Sequence, residues 1–206
     1  MDYWLTGGNF LILNDWNFFQ GAIFIAIAYV FGQIIAMGAS VFIEGYIGRR
    51  LFSPPLEMLL GKFPREREVF LQKYIAGRYY EAFPAWMRER LFEEAQTATR
   101  LTRPALEADP NQIFLLAFDY SKRNEEVSRR LDGFRNQYAF NRNMAFSGLL
   151  AGVFCALRGF FHEEPDAFGF LILAMLIAIG MTGRFLKFYS CYAGEVLRSF
   201  ALRGDR

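Results

Sequence analysis

Three pairs of neighbouring carboxylates (Glu66 with Glu68, Glu93 with Glu94, Glu125 with Glu126), a single histidine, His162, and two cysteines, Cys155 and Cys191, are the groups from which a catalyst would have to be built. Paired acids serve acid/base or metal chemistry when they converge on one point. Here each pair lies in a charged helical stretch, where a solvated helix face is the ordinary role. His162 has no serine or cysteine nucleophile beside it, and neither Gly-x-Ser-x-Gly nor His-Glu-x-x-His occurs. No glycine-rich phosphate loop ending in Gly-Lys is present, and one histidine with two cysteines cannot supply the four ligands of a zinc site. Nor is there a histidine in the charged middle of the chain to serve an Arg/His ribonuclease. The sequence therefore predicts a protein that is not an enzyme and has no catalytic, cofactor-binding or metal-binding residue. Cys155 and Cys191 read as inert free thiols.

What the residues do offer is ionic and interhelical chemistry. Glu44 ends an uncharged run from Phe18 to Ile43, with Arg49 and Arg50 just beyond it. An ionisable group at a membrane edge faces protein or a wet cavity. Gln33, Glu44, Arg49 and Arg50 are thus candidates either for lining a pore or for ion pairing. Gln20 and Gln33 lie inside the run and need hydrogen-bond partners or water. Gly32, Ala36, Ser40, Glu44 and Gly48 recur every four residues and form a small-residue stripe, which lets helix backbones approach closely in lipid. This predicts helix packing or oligomerisation through Gly32, Ala36, Ser40 and Gly48, either against the rest of the same subunit or against another copy.

The elements that position these groups follow from hydropathy. The run from Phe18 to Ile43, as a helix rising ~1.5 Å per residue, exceeds the ~30 Å hydrocarbon core of a bilayer. Two further apolar runs, Met144 to Leu157 and Ala167 to Thr182, flank the polar sequence His162 to Asp166, a helical hairpin turning at a water interface. The fold class is all-α: an integral membrane protein with three transmembrane helices and a small helical cytoplasmic domain between the first and second. The expected divisions are an external segment 1–17, spans at 18–43, 143–161 and 167–183, a cytoplasmic domain 49–142, an external turn 162–166 and an amphipathic cytoplasmic tail 184–206.

Basic residues orient the chain, because Lys and Arg near membrane ends stay in the cytoplasm. Met1 to Asn17 contains none, whereas Arg49 to Arg142 holds 17 of the 23 basic residues against 13 acidic ones. The hairpin turn is acidic, and the tail carries Arg184, Lys187, Arg198, Arg203 and Arg206. The N-terminus is predicted outside and the C-terminus inside the cytoplasmic membrane. Met1 to Asn17 lacks the early basic region of a cleaved signal peptide, and its aromatics suit the interface. The middle's excess of four positive charges is slight for nucleic acid, so nucleic-acid binding is not expected; Arg49, Arg50 and Lys62 suit lipid headgroups better, at about 1 kcal/mol each.

Within the middle, the prolines predict helices at 64–79, 84–100 and 110–138, with Pro104 and Pro110 bracketing a loop. Val127, Leu131, Phe134 and Tyr138 form one apolar stripe, and no proline or glycine from Asn136 to Phe146 stops that helix from entering the second span. Asn141, Arg142 and Asn143 sit at that entry and, with Arg184 and Glu195, are expected to couple membrane to cytoplasm. In the tail, Phe185, Tyr189, Tyr192, Val196 and Phe200 share a face that would lie on the inner leaflet or on the cytoplasmic helices. So small a domain favours packing on the spans or other subunits.

The run Leu51 to Gly61 with its Pro-Leu-Glu-x-Leu-Leu-Gly, the string Tyr138 to Phe146, and Arg184 to Tyr189 leading to Glu195 to Arg198 resemble those of a family of uncharacterised multi-pass bacterial membrane proteins. The resemblance implies a bacterial inner membrane and proximity to antiviral defence genes, with no activity to transfer. The function expected from sequence is a non-enzymatic homo-oligomer, a channel or pore-type effector on membrane integrity in antiviral defence. Its alternative is an anchor or scaffold recruiting a soluble protein partner through the cytoplasmic helices. The partners expected are lipid, other copies and such a soluble protein. A cysteine placed at Asp166 should react with impermeant reagent on intact cells, and one at Glu107 only after permeabilisation; the reverse pattern would invert the topology.

Overall fold

The computed structural model describes residues 18–52, 54–61, 81–162 and 166–203, and every element among them is helical. In chain order these are α1 (Phe18–Ala39), a π-helical continuation (Ser40–Leu51), α2 (Pro55–Leu59), α3 (Ala85–Thr99), α4 (Arg103–Ala108), α5 (Pro110–Arg123), α6 (Glu125–His162) and α7 (Asp166–Ala201). Three of the helices are long and apolar enough to cross a membrane: the first from Gln20 to Leu59, the second Glu125–Phe161 and the third Asp166–Ala201. The helix expected at 64–79 and the segment 1–17 lie outside the described residues.

Local sequence sets the helix ends. Pro55, Pro104 and Pro110 each occupy a first helical turn, where a missing N–H costs nothing. Arg103–Ala108 is consequently a short helix, where the sequence suggested a loop between prolines. The single helix expected over 110–138 is two. Asn124 leaves helical geometry, at φ −96° and ψ 112°, and its side chain accepts a hydrogen bond from the Val127 N–H at 3.1 Å. Asn followed by two glutamates is an N-cap signature that competes with helix continuity. From there α6 runs unbroken for 38 residues, so the Val127 and Leu131 end and the apolar end form one rod. The tail is likewise no separate helix, since α7 continues for 36 residues from Asp166 to Ala201.

Through their apolar halves, α6 and α7 pair along a seam of small residues. A Cβ added at Gly148 would stand 3.1 Å from the Ala174 carbonyl oxygen and from the Ala178 nitrogen, so the two backbones touch there. Gly152 faces Met175, Gly159 faces Phe168, and Ala145, Ala174 and Ala178 are buried alongside. Small residues four apart, Gly148 with Gly152 and Ala174 with Ala178, are what close helix approach in lipid requires. Beyond the seam the rods carry a core of Leu91, Leu106, Ile113, Leu131, Leu197 and Phe200, closed by α2 to α5. Each such side chain contributes about 1.5–3 kcal/mol by leaving water.

Polar ties clip the charged layer together. Ser121 is fully buried and shares a 2.6 Å hydrogen bond with Ser199. Arg130 pairs with Glu195 at 3.1 Å, and Arg203 pairs with Glu94. Arg103 forks between Glu89 and Glu107, joining α3 to α4, and its guanidinium holds the Glu89 carboxyl below the ordinary range. With its folded value depressed, that pair's contribution is present above about pH 4.3 and fades as pH falls through the lowered value.

Gly148→Leu should force the rods apart and cost roughly 1–3 kcal/mol by overpacking. Gly32→Leu, where an added Cβ meets nothing within 4 Å, should leave the stability of the monomeric subunit within about 0.5 kcal/mol of the native chain. Denaturant titration in micelles measures both.

Candidate functional site: the ionic junction of the first and second helices

The chain leaves α1 in a π-helix, whose i→i+5 hydrogen bonds align residues five apart instead of four. Ile43 and Gly48, five apart, are its buried residues. Glu44 and Arg49 are also five apart, and Arg49 Nη2 donates to Glu44 Oε1 at 3.1 Å. The other carboxylate oxygen, Oε2, accepts from Arg142 Nη1 of α6 at 2.6 Å. Burial separates the two pairs. Glu44 and Arg142 side chains are 15% and 13% exposed, while Arg49 is 62% exposed, so the link between helices is the shielded one.

An aromatic wall surrounds the carboxylate. The Arg142 guanidinium lies over the Tyr138 ring at 6.0 Å from its centroid, and Tyr138 packs on Phe185 and Tyr189 of α7 with centroids 6.2 and 5.9 Å away. Tyr189 is near enough to interact with both Glu44 and Arg49. Phe185 is fully buried, with Gly48 against it: an added Cβ would stand 3.3 Å from the ring. Ile43, Phe52, Met58, Ala145 and Leu186 complete this cluster. A carboxylate, a shielded guanidinium and three rings from three helices therefore meet where the apolar segments give way to the charged layer. Taking charge out of water costs several kcal/mol unless partners satisfy it, and here both carboxylate oxygens are satisfied.

Other residues singled out from sequence fall elsewhere. Arg50 lies over the Tyr46 ring at 5.8 Å. Asn141 is buried and donates to the Gln137 carbonyl at 2.6 Å, while Asn143 accepts from Arg142 at 3.4 Å. Glu195 is held by Arg130, more than three turns along α6 from Arg142, and Arg184 is exposed while its neighbour Phe185 enters the junction. The four-residue stripe divides in the same way. Gly48 packs on Phe185, Ala36 is half-buried and Ser40 is exposed, while Gly32, like the neighbouring Gln33, lies in a stretch exposed on every side. Gly38, absent from that stripe, is the actual contact of α1 with Phe146 of α6.

Sequence reasoning missed the seam of Gly148 and Gly152, although their spacing carries the signal, and it missed Gly38. The aromatic members of the junction were legible only as helix faces. Nothing in the sequence flagged the π-helix. Among the described residues, no group of three or more His, Cys, Asp or Glu side chains is placed to hold a metal. No protein-family model, curated protein or solved structure matches this chain. The class defined by the fold is therefore coarse: an all-helical protein with three helices able to span a membrane.

Glu44→Gln should leave Arg142 shielded without a counter-charge and cost roughly 3 kcal/mol in a micelle unfolding titration. Arg49→Gln, which removes an exposed partner, should cost no more than about 1 kcal/mol. Equal losses for the two would mean that shielding does not decide the strength of this junction.

Proposed function

We propose that this chain is a non-enzymatic membrane anchor whose two long rods carry position and movement between a three-helix membrane part and a cytoplasmic helical layer that receives a soluble protein. The observation that carries this reading is Glu44, clasped by Arg142 and Arg49 at the foot of the first helix. A carboxylate that sets cation selectivity in a pore must face the water path. This one is spent on holding the first helix to α6, which favours the anchor over the pore-type effector.

The rods supply the mechanical part. Because α6 and α7 pass without a break from their apolar halves into the layer closed by α2 to α5, a displacement of that layer has no hinge in which to dissipate among the described residues. The Glu44 clasp would then pass it to the first helix. The basic-residue asymmetry supports an inner-membrane setting with the N-terminus outside and the C-terminus inside. The resemblance of Leu51 to Gly61 and Tyr138 to Phe146 to bacterial membrane proteins found near defence genes supports antiviral defence as the context.

Purified protein in planar bilayers should pass no steady current, and Glu44→Gln should lower yield and stability without creating one. A unitary cation current whose selectivity changes in Glu44→Gln would overturn the anchor reading in favour of the pore.

A further inference from the structure

The inner half of the first helix is held, and its outer half is exposed. From Ala22 to Ile34 every residue is exposed, on all sides of the helix; the contact of Gly38 with Phe146 of α6 and the buried Ala39 and Ile43 lie further in. Gln33 stands in this open stretch. It lies ten residues from Ile43, about 15 Å along the axis, which is close to the middle of a ~30 Å hydrocarbon core. A carboxamide carries two N–H donors and an acceptor oxygen, and lipid tails satisfy none of them. At that depth its side chain is too short to reach either interface.

The neighbours of Gln33 along its own face are Ala22, Ala26, Tyr29, Ala36 and Ser40, and apart from Tyr29 they are small enough to let a second backbone come close. Among the described residues, the exposed faces of α6 and α7 at this level are apolar. There α6 and α7 expose Leu150, Val153, Phe154, Ile172, Leu173 and Leu176, none of which can hydrogen-bond through its side chain. A group complementary to a carboxamide at that depth is the same carboxamide in another copy, and a two-fold axis sets a residue against itself.

We infer that a second copy of the chain covers this face, the two first helices pairing around Gln33, with each carboxamide donating an N–H to the other's oxygen across the axis. The contact shares Ala36 and Ser40 with the stripe of Gly32, Ala36, Ser40 and Gly48, but Gly48 is committed to Phe185 within the subunit, and the pairing face is centred on Gln33, Ala26 and Ala22. The pairing rests on the membrane-spanning part of the proposed function and is independent of the choice between anchor and pore.

The test uses the full-length chain, fluorescently tagged and reconstituted in phosphatidylcholine vesicles, with copies per vesicle counted by photobleaching steps as protein is diluted in lipid. Two copies are expected above the random-occupancy background. Gln33→Leu should raise the apparent dissociation constant about tenfold, Gln33→Asn should largely keep the pairing, and Ile27→Ala, on the far side of the helix, should leave it unchanged. Native chains that stay single at every dilution, or pairing that survives Gln33→Leu undiminished, overturn the inference. Alkaline carbonate extraction of each variant separates the two failures. Protein released by carbonate contradicts the membrane reading itself, whereas membrane-retained single copies contradict only the pairing.

Discussion

The first helix meets α6 at a carboxylate that must not be left alone. Glu44 sits where an uncharged run ends, too close to the apolar layer for free hydration, and the chain meets its demand from two directions. Arg49 reaches it along its own helix, which requires residues five apart to stack and so fits the π geometry of Ser40–Leu51. Arg142 reaches it from α6. The second bond does more, because it is shielded by Tyr138 and Tyr189, and screening by water and salt falls as a pair is shielded.

The same constraint explains how the rest of the fold is apportioned. The long rods need no ionic clasp between them, since backbone contact at Gly148 and the buried alanines of α7 provide close packing, and the Ser121 to Ser199 and Arg130 to Glu195 ties hold their charged ends. The first helix has no comparable seam. Its contact with α6 is brief, one glycine against one phenylalanine and a few residues beyond, so an ionic link at its foot carries a large share of the attachment. Its outer half, from Ala22 to Ile34, is exposed.

How much of this was legible in sequence depends on the range of the physics involved. Span positions were legible because hydropathy over twenty residues is a bulk property, and the unbroken passage from Asn136 into the second apolar run was legible because proline and glycine punctuate locally. The break at Asn124 was also local, but a single capping side chain was outweighed by the apolar periodicity around it. The stripe of Gly32, Ala36, Ser40 and Gly48 failed as one face because Gly32 lies where the helix is exposed on every side, and from Ser40 the chain changes its turn. The partner of Glu44 lies 98 residues away, and charge alone does not choose among seventeen basic residues. Only the docking of α6, set by small residues on its other side, brings Arg142 to it.

The central claim is that Glu44 and Arg142 stabilise the fold as a pair, fixing the first helix to α6. A double-mutant cycle with Glu44→Gln, Arg142→Met and their combination, read by unfolding titration in micelles, isolates that term. The account predicts single losses that do not add, the double variant being more stable than their sum implies by about 1.5 kcal/mol or more. Losses that add within about 0.3 kcal/mol would contradict it, and would mean that the two side chains lie close together without holding the helices in place.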